Sequence, residues 1–204
     1  MRLIRRRTGS VGAVVALIGL LLWAWLPVGA IRAIANLSDP AKLATLGERG
    51  ANARLNRILY WLDEGRRRGF DPATVASLAL RLGGTREPRF SLVRDGLLRN
   101  VRIADELGLL TPENREHLRR GRAAIVTRGP YAGEAAEIDH IVPRSLAPEL
   151  DNELANLELL PQPLNRRKSD RVGPRQLAHA EKLRAAGLLT EESYARVRAV
   201  AAGP

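Results

Sequence analysis

The part of the sequence best suited to chemistry is residues 137–145, which read EIDHIVPRS. This short apolar run carries Glu137 and Asp139 beside His140, one of only three histidines in the chain. A neutral imidazole titrates near physiological pH and can take a proton from water. Adjacent strand residues point to opposite faces, so Asp139 and His140 can serve one site only if the strand ends there, which Pro143 favours. The alternative is a simple ion pair at a strand end.

Two asparagines follow this stretch at informative spacing. Asn156 lies sixteen residues after His140, and Asn165 lies nine residues further on. The segments DHIVPRS, ANLELL and LNRRKSD contain these residues in order. Together they resemble the HNH endonuclease family, also called the ββα-metal or His-Me finger nucleases. The resemblance covers residues 137–170, and the rest of the chain carries no comparable motif.

The resemblance implies a divalent-metal-dependent hydrolysis of phosphodiester bonds. DNA is the expected substrate, and RNA stays open as an alternative. It makes His140 the general base and Asp139 and Asn165 the metal ligands. It makes Asn156 the residue that orders the loop between the strands and helps to orient the base. An amide oxygen at Asn165 suits Mg²⁺ or Mn²⁺ better than Zn²⁺. The chain has no cysteine, so the structural zinc that many relatives hold with paired cysteines is excluded.

Basic residues near the motif are candidates for binding the phosphates of a nucleic acid. They are Arg144, Arg166, Arg167 and Lys168, of which Lys168 occupies a position within the motif. The alternative for this cluster is an ordinary solvated helix face. Glu137 shares a strand face with Asp139, so it is an additional ligand, a support for the ligands, or a solvated carboxylate.

The charge distribution agrees with a cation bound beside a polyanion. Residues 131–160 carry seven acidic residues and one basic residue, whereas residues 38–130 carry 18 basic and 11 acidic residues. Residues 161–204 carry nine basic and four acidic residues, and the whole chain has a net charge of +11. Since 30 of the 33 basic residues are arginines, a biased genomic base composition is an alternative origin for this excess.

The elements that position these residues predict an α+β fold that is mostly helical. Helices begin at Asp39-Pro40 and Asp71-Pro72, where a capping side chain precedes a proline. Short β-branched runs at 125–127 and 138–142 predict two strands, and LELLP from Leu157 is another short apolar run. A helix starting near Pro163 completes a β–loop–β–α unit.

The predicted organisation has four parts. Residues 1–37 form a membrane anchor or signal peptide, residues 38–122 a helical region, residues 123–172 the nuclease finger, and residues 173–204 a C-terminal helical hairpin. The helical hairpin is indicated by GLLTEESYARV, which repeats the corner of GLLTPENREHL, where Gly ends one helix and Thr caps the next. The remaining histidines, His117 and His179, have no partner at metal-ligand spacing and are expected to be structural or exposed.

The N-terminus predicts export of the domain. The cluster MRLIRRR precedes an uncharged run from Thr8 to Ile31, which is long enough to cross a bilayer as a helix and has Trp23 and Trp25 near its far end. A membrane partner is therefore expected through residues 8–31, with the nuclease domain outside the cytoplasm. The alternatives are a signal peptide cleaved near Ala30, giving a secreted or periplasmic protein, and a buried cytoplasmic helix.

Taken together, the sequence predicts an exported HNH endonuclease with low sequence specificity, since no separate module for reading bases is visible. Two other hypotheses stay open. One is a nucleic-acid-binding module that has lost cleavage, and the other is a membrane-anchored helical scaffold with an accidental motif.

Overall fold

The structure is a computed structural model that describes residues 27–203. Its helices and strands, in chain order, are α1 (Val28–Leu37), α2 (Pro40–Ala44), α3 (Gly50–Arg67), α4 (Pro72–Leu82), α5 (Arg89–Glu106), α6 (Pro112–Arg119), β1 (Ala124–Ile125), β2 (Ala135–His140), β3 (Leu157–Pro161), α7 (Gln162–Lys168), α8 (Pro174–Ala185) and α9 (Glu191–Ala202). Two short 3₁₀ turns, Pro148–Leu150 and Leu154–Asn156, lie between β2 and β3. The mostly helical α+β fold is confirmed.

The three strands form one antiparallel sheet in the order β1-β2-β3. Asp139 pairs with Glu158 and His140 pairs with Leu157 across β2 and β3. The sequence placed the second strand at 138–142, but β2 begins at Ala135 and ends at His140. It ends there because the next two residues hydrogen-bond to Asn156 rather than to a strand.

Local capping signals predicted several helix starts correctly. Asp39 accepts hydrogen bonds from the backbone of α2, and Asp71 does the same for α4. Thr111 and Thr190 cap α6 and α9 with their side chains. These contacts lie within four residues of each cap, so the sequence alone carries the information.

The helical pattern predicted after Pro40 is interrupted at residues 45–49, and a distant loop explains the interruption. Asp151 Oδ2 accepts a hydrogen bond of 2.8 Å from the backbone N–H of Arg49, whose φ is 55°. Asn152 Oδ1 accepts one of 2.9 Å from Ala51 N–H, and its Nδ2 donates to the carbonyls of Leu46 and Gly47. The loop between β2 and β3 therefore caps α3.

Helix α1 belongs to the packed domain, although its residues were grouped with the N-terminal segment. Ile34 is fully buried, and Ala30 lies in the same apolar core as residues of α3, α4 and α5. The boundary predicted after residue 37 thus coincides with the end of a core helix. Cleavage at Ala30 would divide this helix.

Most of the predicted membrane segment, residues 8–26 with both of its tryptophans, lies outside the described residues. Among residues 27–203, no helix combines the length and the apolar character needed to cross a membrane.

Two apolar clusters hold the sheet in place. The larger one joins α1, α3, α4 and α5 to the loop after β2 and to α8 and α9. The smaller one joins α3, α5 and α6 to the three strands, and Leu159 of β3 is among its buried residues. The end of β2 therefore rests on a rigid helical scaffold.

Candidate active site

The end of β2 opens into a cleft of about 580 Å³. Asp139 and His140 from β2, Asn165 and Lys168 from α7, and Arg144 from the loop after β2 all line it. The strand ends at His140, so two adjacent side chains reach the same cavity. The structure thus brings together the predicted base and both predicted metal ligands.

His140 is held by the loop that follows the strand. Its Nε2 lies 2.9 Å from the backbone carbonyl oxygen of Asp151 and 3.3 Å from Oδ1 of the same residue. A carbonyl oxygen can only accept a hydrogen bond, so Nε2 carries the proton in this contact. In a neutral imidazole, Nδ1 is then the unprotonated nitrogen.

Asp139 is almost buried, and burial raises the pKa of its carboxyl group. Lys168 acts in the opposite direction, because its Nζ lies 2.7 Å from Asp139 Oδ2. Glu158, directly opposite on β3, raises the pKa further through its like charge. Lys168 Nζ also donates to the backbone carbonyl of His140. Burial therefore outweighs the effect of Lys168, and this carboxyl group is harder to ionise than usual.

Asn165 is oriented by Glu137. Its Nδ2 donates a hydrogen bond of 2.8 Å to Glu137 Oε2, while Gln162 Nε2 donates one of 2.7 Å to Oε1. With Nδ2 committed to Glu137, Oδ1 is the Asn165 atom left to bind a cation. Of the alternatives for Glu137, the geometry supports the one in which it positions a ligand.

Asn156 closes the loop that leads away from β2. Its Oδ1 accepts a hydrogen bond of 2.9 Å from Val142 N–H, and its Nδ2 donates one of 3.0 Å to Val142 O. Its own carbonyl accepts from Ile141 N–H at 2.8 Å. Asn156 is fully buried, so it orders the backbone that follows His140 and does not face the cleft.

The candidate phosphate-binding residues fall into different environments. Arg144 lines the cleft and makes an ion pair with Glu48. Arg166 and Arg167 are exposed on α7, and Arg167 donates to the Tyr131 hydroxyl at 2.6 Å. Lys168 is inside the site, with its side chain only 13% exposed. Of the four predicted residues, only the two exposed ones on α7 therefore offer a cationic group that makes no ion pair within residues 27–203.

A divalent cation fits the residues that face the cleft. Oδ2 of Asp139 is buried and lies 2.7 Å from the Lys168 ammonium, which shows that a cation is accommodated there. Among residues 27–203 no cluster of three or more His, Cys, Asp or Glu side chains could hold a metal. One carboxylate and one amide oxygen nevertheless suit Mg²⁺, which keeps several waters and shares its remaining positions with substrate phosphates.

The acidic segment 131–160 serves the fold more than a cation. Glu149 accepts hydrogen bonds from Thr190 and Ser193 at the start of α9. Glu153 is buried and pairs with Arg89. These carboxylates thus already have partners within the fold, and the charge of Glu153 is compensated by Arg89.

Sequence reasoning missed the role of Asp151. It lies eleven residues after His140, yet it contacts both the imidazole and the backbone of Arg49. No local pattern singles it out, because its partners depend on how the loop docks against α3. In the sequence, the only indication of its importance is that it lies in the acidic segment 131–160.

The other two histidines lie outside the cleft. His117 is on α6, where its Nδ1 is 3.2 Å from the Ala123 carbonyl oxygen. His179 is on α8 and lines a different cavity.

Comparisons with protein-family models, with curated proteins and with solved structures found no match to this chain.

Proposed function

We propose that this chain is a divalent-metal-dependent endonuclease of the HNH type that hydrolyses phosphodiester bonds in DNA. The observation that carries the proposal is the convergence of Asp139, His140 and Asn165 on one cleft, with His140 held by a backbone carbonyl. The proposal includes export of the domain, for which the N-terminal sequence is the support.

Each residue of the site has a defined task in this reaction. His140 takes the proton of the attacking water at Nδ1, because Nε2 donates to the Asp151 carbonyl. That carbonyl also stabilises the imidazolium that forms. Glu137 keeps the amide of Asn165 turned so that its oxygen faces the cleft. Asn156 holds the backbone after His140 in place through its two hydrogen bonds to Val142.

Asp139 and Asn165 would hold the divalent cation. When bound, this cation neutralises the charge that develops on the phosphate and on the leaving oxygen. Lys168 lies beside Asp139 and keeps this carboxylate compensated when no substrate is present. It also supplies a donor at the position where a phosphate oxygen would approach.

One observation favours a second candidate, a module that binds nucleic acid without cutting it. The ion pair between Lys168 and Asp139 partly satisfies the carboxylate that a metal would need. If this pair persists on DNA, the site retains cationic side chains but lacks a complete metal site.

The proposal is tested by nicking of supercoiled plasmid with the full chain in detergent micelles. We expect cleavage with Mg²⁺ or Mn²⁺, little with Zn²⁺ and none with EDTA. Asp139→Asn should raise the Mg²⁺ concentration needed for half-maximal rate by more than about tenfold. The matched control is Asp95→Asn, since Asp95 is exposed, pairs with its neighbour Arg94 and does not line the cleft.

The two candidates give different results in this assay. DNA retarded in a gel but not cut with any of these metals would replace the nuclease with the binding module. Neither cutting nor binding would leave the resemblance of the finger accidental.

A further inference from the structure

A second cavity, of about 250 Å³, lies beside the catalytic cleft and shares none of its lining residues. It is bounded by helices outside the finger, with Arg99 on α5 and Arg175, His179 and Lys182 on α8. Ile141, the residue after His140, forms part of its wall. Three cationic side chains and an imidazole therefore face one small volume.

Two of these three cations make no ion pair within residues 27–203. The third, Arg175, makes a two-point ion pair with the buried carboxylate of Glu158, in which Nη1 donates to Oε1 at 3.0 Å and Nη2 donates to Oε2. Arg99 donates to the backbone carbonyls of Ala155 and Leu157 at 3.3 Å, while its buried Nε has no hydrogen-bond partner among the described residues. Lys182 is exposed and makes no ion pair within residues 27–203. Glu158 is thus the one carboxylate at ion-pair distance from these three cations within residues 27–203, although Asp95 and Asp139 also act on Arg99 and Arg175 through their charge.

His179 adds a buried imidazole to the lining of this cavity, next to the three cations. Burial lowers the pKa of its imidazole to about 4, and the neighbouring charges of Arg99, Arg175 and Lys182 contribute to this, although the Ala155 carbonyl opposes it. Its Nε2 is buried without a hydrogen-bond partner in the described structure. The lowering comes first from burial, and the three cations add to it through the positive potential that they create at the cavity.

The cavity is next to the reacting groups. Arg175 pairs with Glu158, which stands opposite Asp139 in the sheet, and Asp139 also raises the pKa of Arg175. Ile141 connects the two cavities directly along the chain. An extended anion with its reacting group at His140 would place a neighbouring charged group near Arg175.

We propose that this cavity is a phosphate-binding subsite, which holds a backbone phosphate of the nucleic-acid strand adjacent to the one that is cut. This inference rests on the proposed function for the identity of the ligand. Phosphate suits the site because it supplies the negative charge that Arg99 and Lys182 lack among the described residues, with Arg99 as a planar guanidinium donor and Lys182 as a mobile point charge. The helices outside the finger thereby become part of the substrate-binding surface.

The test uses Lys182→Ala in the full chain, because Lys182 is exposed and its removal leaves no buried charge unpaired. Arg198→Ala is the matched control, since Arg198 is an exposed cation on α9 that does not line the cavity. Binding of fluorescein-labelled single-stranded and duplex DNA is measured by anisotropy in EDTA over a range of salt concentrations. We expect Lys182→Ala to reduce the slope of log affinity against log salt by about 1, and Arg198→Ala to leave it unchanged.

Equal slopes for Lys182→Ala and the wild type would overturn the proposal. The proposal would also be overturned if the cavity bound free phosphate but not DNA. In that case competition by inorganic phosphate would depend on Lys182, whereas DNA binding would not depend on it. Because binding is measured without metal, a chain that binds DNA through Lys182 but never cuts plasmid would refute the nuclease and retain the subsite.

Discussion

At the scale of single residues, the cleft combines an imidazole whose tautomer is set by a hydrogen bond with a carboxylate whose ionised form is disfavoured by burial. The Asp151 carbonyl assigns the proton of His140 to Nε2. Burial and the charge of Glu158 work against ionisation of Asp139, and Lys168 favours it. Lys168 is therefore the residue that lets the folded protein keep a buried carboxylate beside its base.

The role of Lys168 leads to a prediction about stability and pH. The folded-state pKa of Asp139 is already raised, so the folded protein holds this proton more tightly than the unfolded chain and loses stability as the pH rises through that pKa. Lys168→Met removes the opposing cation and should raise the pKa further. The variant should lose more stability at about pH 7 than at about pH 3, which lies below the ordinary pKa of an aspartate carboxyl group, so that Asp139 is protonated in both proteins.

Urea unfolding of the wild type and of Lys168→Met at the two pH values measures this difference. Arg166→Met is the control, because Arg166 is exposed on the same helix. A loss of stability that is equal at both pH values would show that Lys168 contributes packing rather than charge compensation.

At the scale of elements, the finger is positioned by contacts that span most of the chain. Asp151 and Asn152 cap α3 from a loop about a hundred residues away, and Asn100 of α5 donates to the Leu157 carbonyl and accepts from Leu159 N–H. These bonds tie β3 and the loop after β2 to the helices. The helices before the finger are thus its structural support.

Helix α1 is part of that support, which gives a prediction about truncation. A chain that begins at Pro27 keeps α1, whereas one that begins at Ser38 exposes the surface that covers the fully buried Ile34. Burial of one such side chain contributes about 1.5–3 kcal/mol. We therefore expect the shorter chain to melt at a clearly lower temperature or to aggregate, as followed by circular dichroism.

A point variant separates the packing of α1 from the effect of truncation. Ile34→Ala in the chain from Pro27 should lower the free energy of unfolding by about 2–5 kcal/mol. Leu82→Ala, at a position where the side chain is 61% exposed, should change it by less than about 0.5 kcal/mol. Equal stability of the chains from Pro27 and Ser38 would contradict the assignment of α1 to the core.

How much the sequence predicts depends on the range of the contacts. The caps at Asp39, Asp71 and Thr111 involve residues within one turn, and all three were predicted. The break before α3 and the early end of β2 were not, because each depends on a side chain far along the chain. Local propensity cannot register such bonds, since the loop that forms them is placed by the tertiary fold.

The site shows the same limit. Its motif residues were found because their spacing is characteristic, and the structure gathers His140, Asp139 and Asn165 at one cleft. The support that Asp151 gives to the base, and the cavity shared by Arg99 and His179, had no local signature. They arise only when α5, α8 and the loop after β2 pack together.

At the scale of the whole molecule, the chain is strongly basic, and many carboxylates of its acidic segment 131–160 have partners within the fold. The net charge is +11. Such a surface attracts polyanions over several ångströms before any specific contact forms. Under the proposed function, this attraction brings a nucleic-acid strand toward the two cavities described above.

The most direct test of the proposed active site is the initial rate of plasmid nicking in Mg²⁺ by the full chain and by His140→Ala. His117→Ala is the matched control, because it removes a histidine that lies outside the cleft. We expect His140→Ala to slow cleavage by at least about 100-fold, since a general base contributes that much or more. His117→Ala should cut at the wild-type rate. Cleavage by His140→Ala at the rate of the wild type would contradict the assignment of this cleft as the active site.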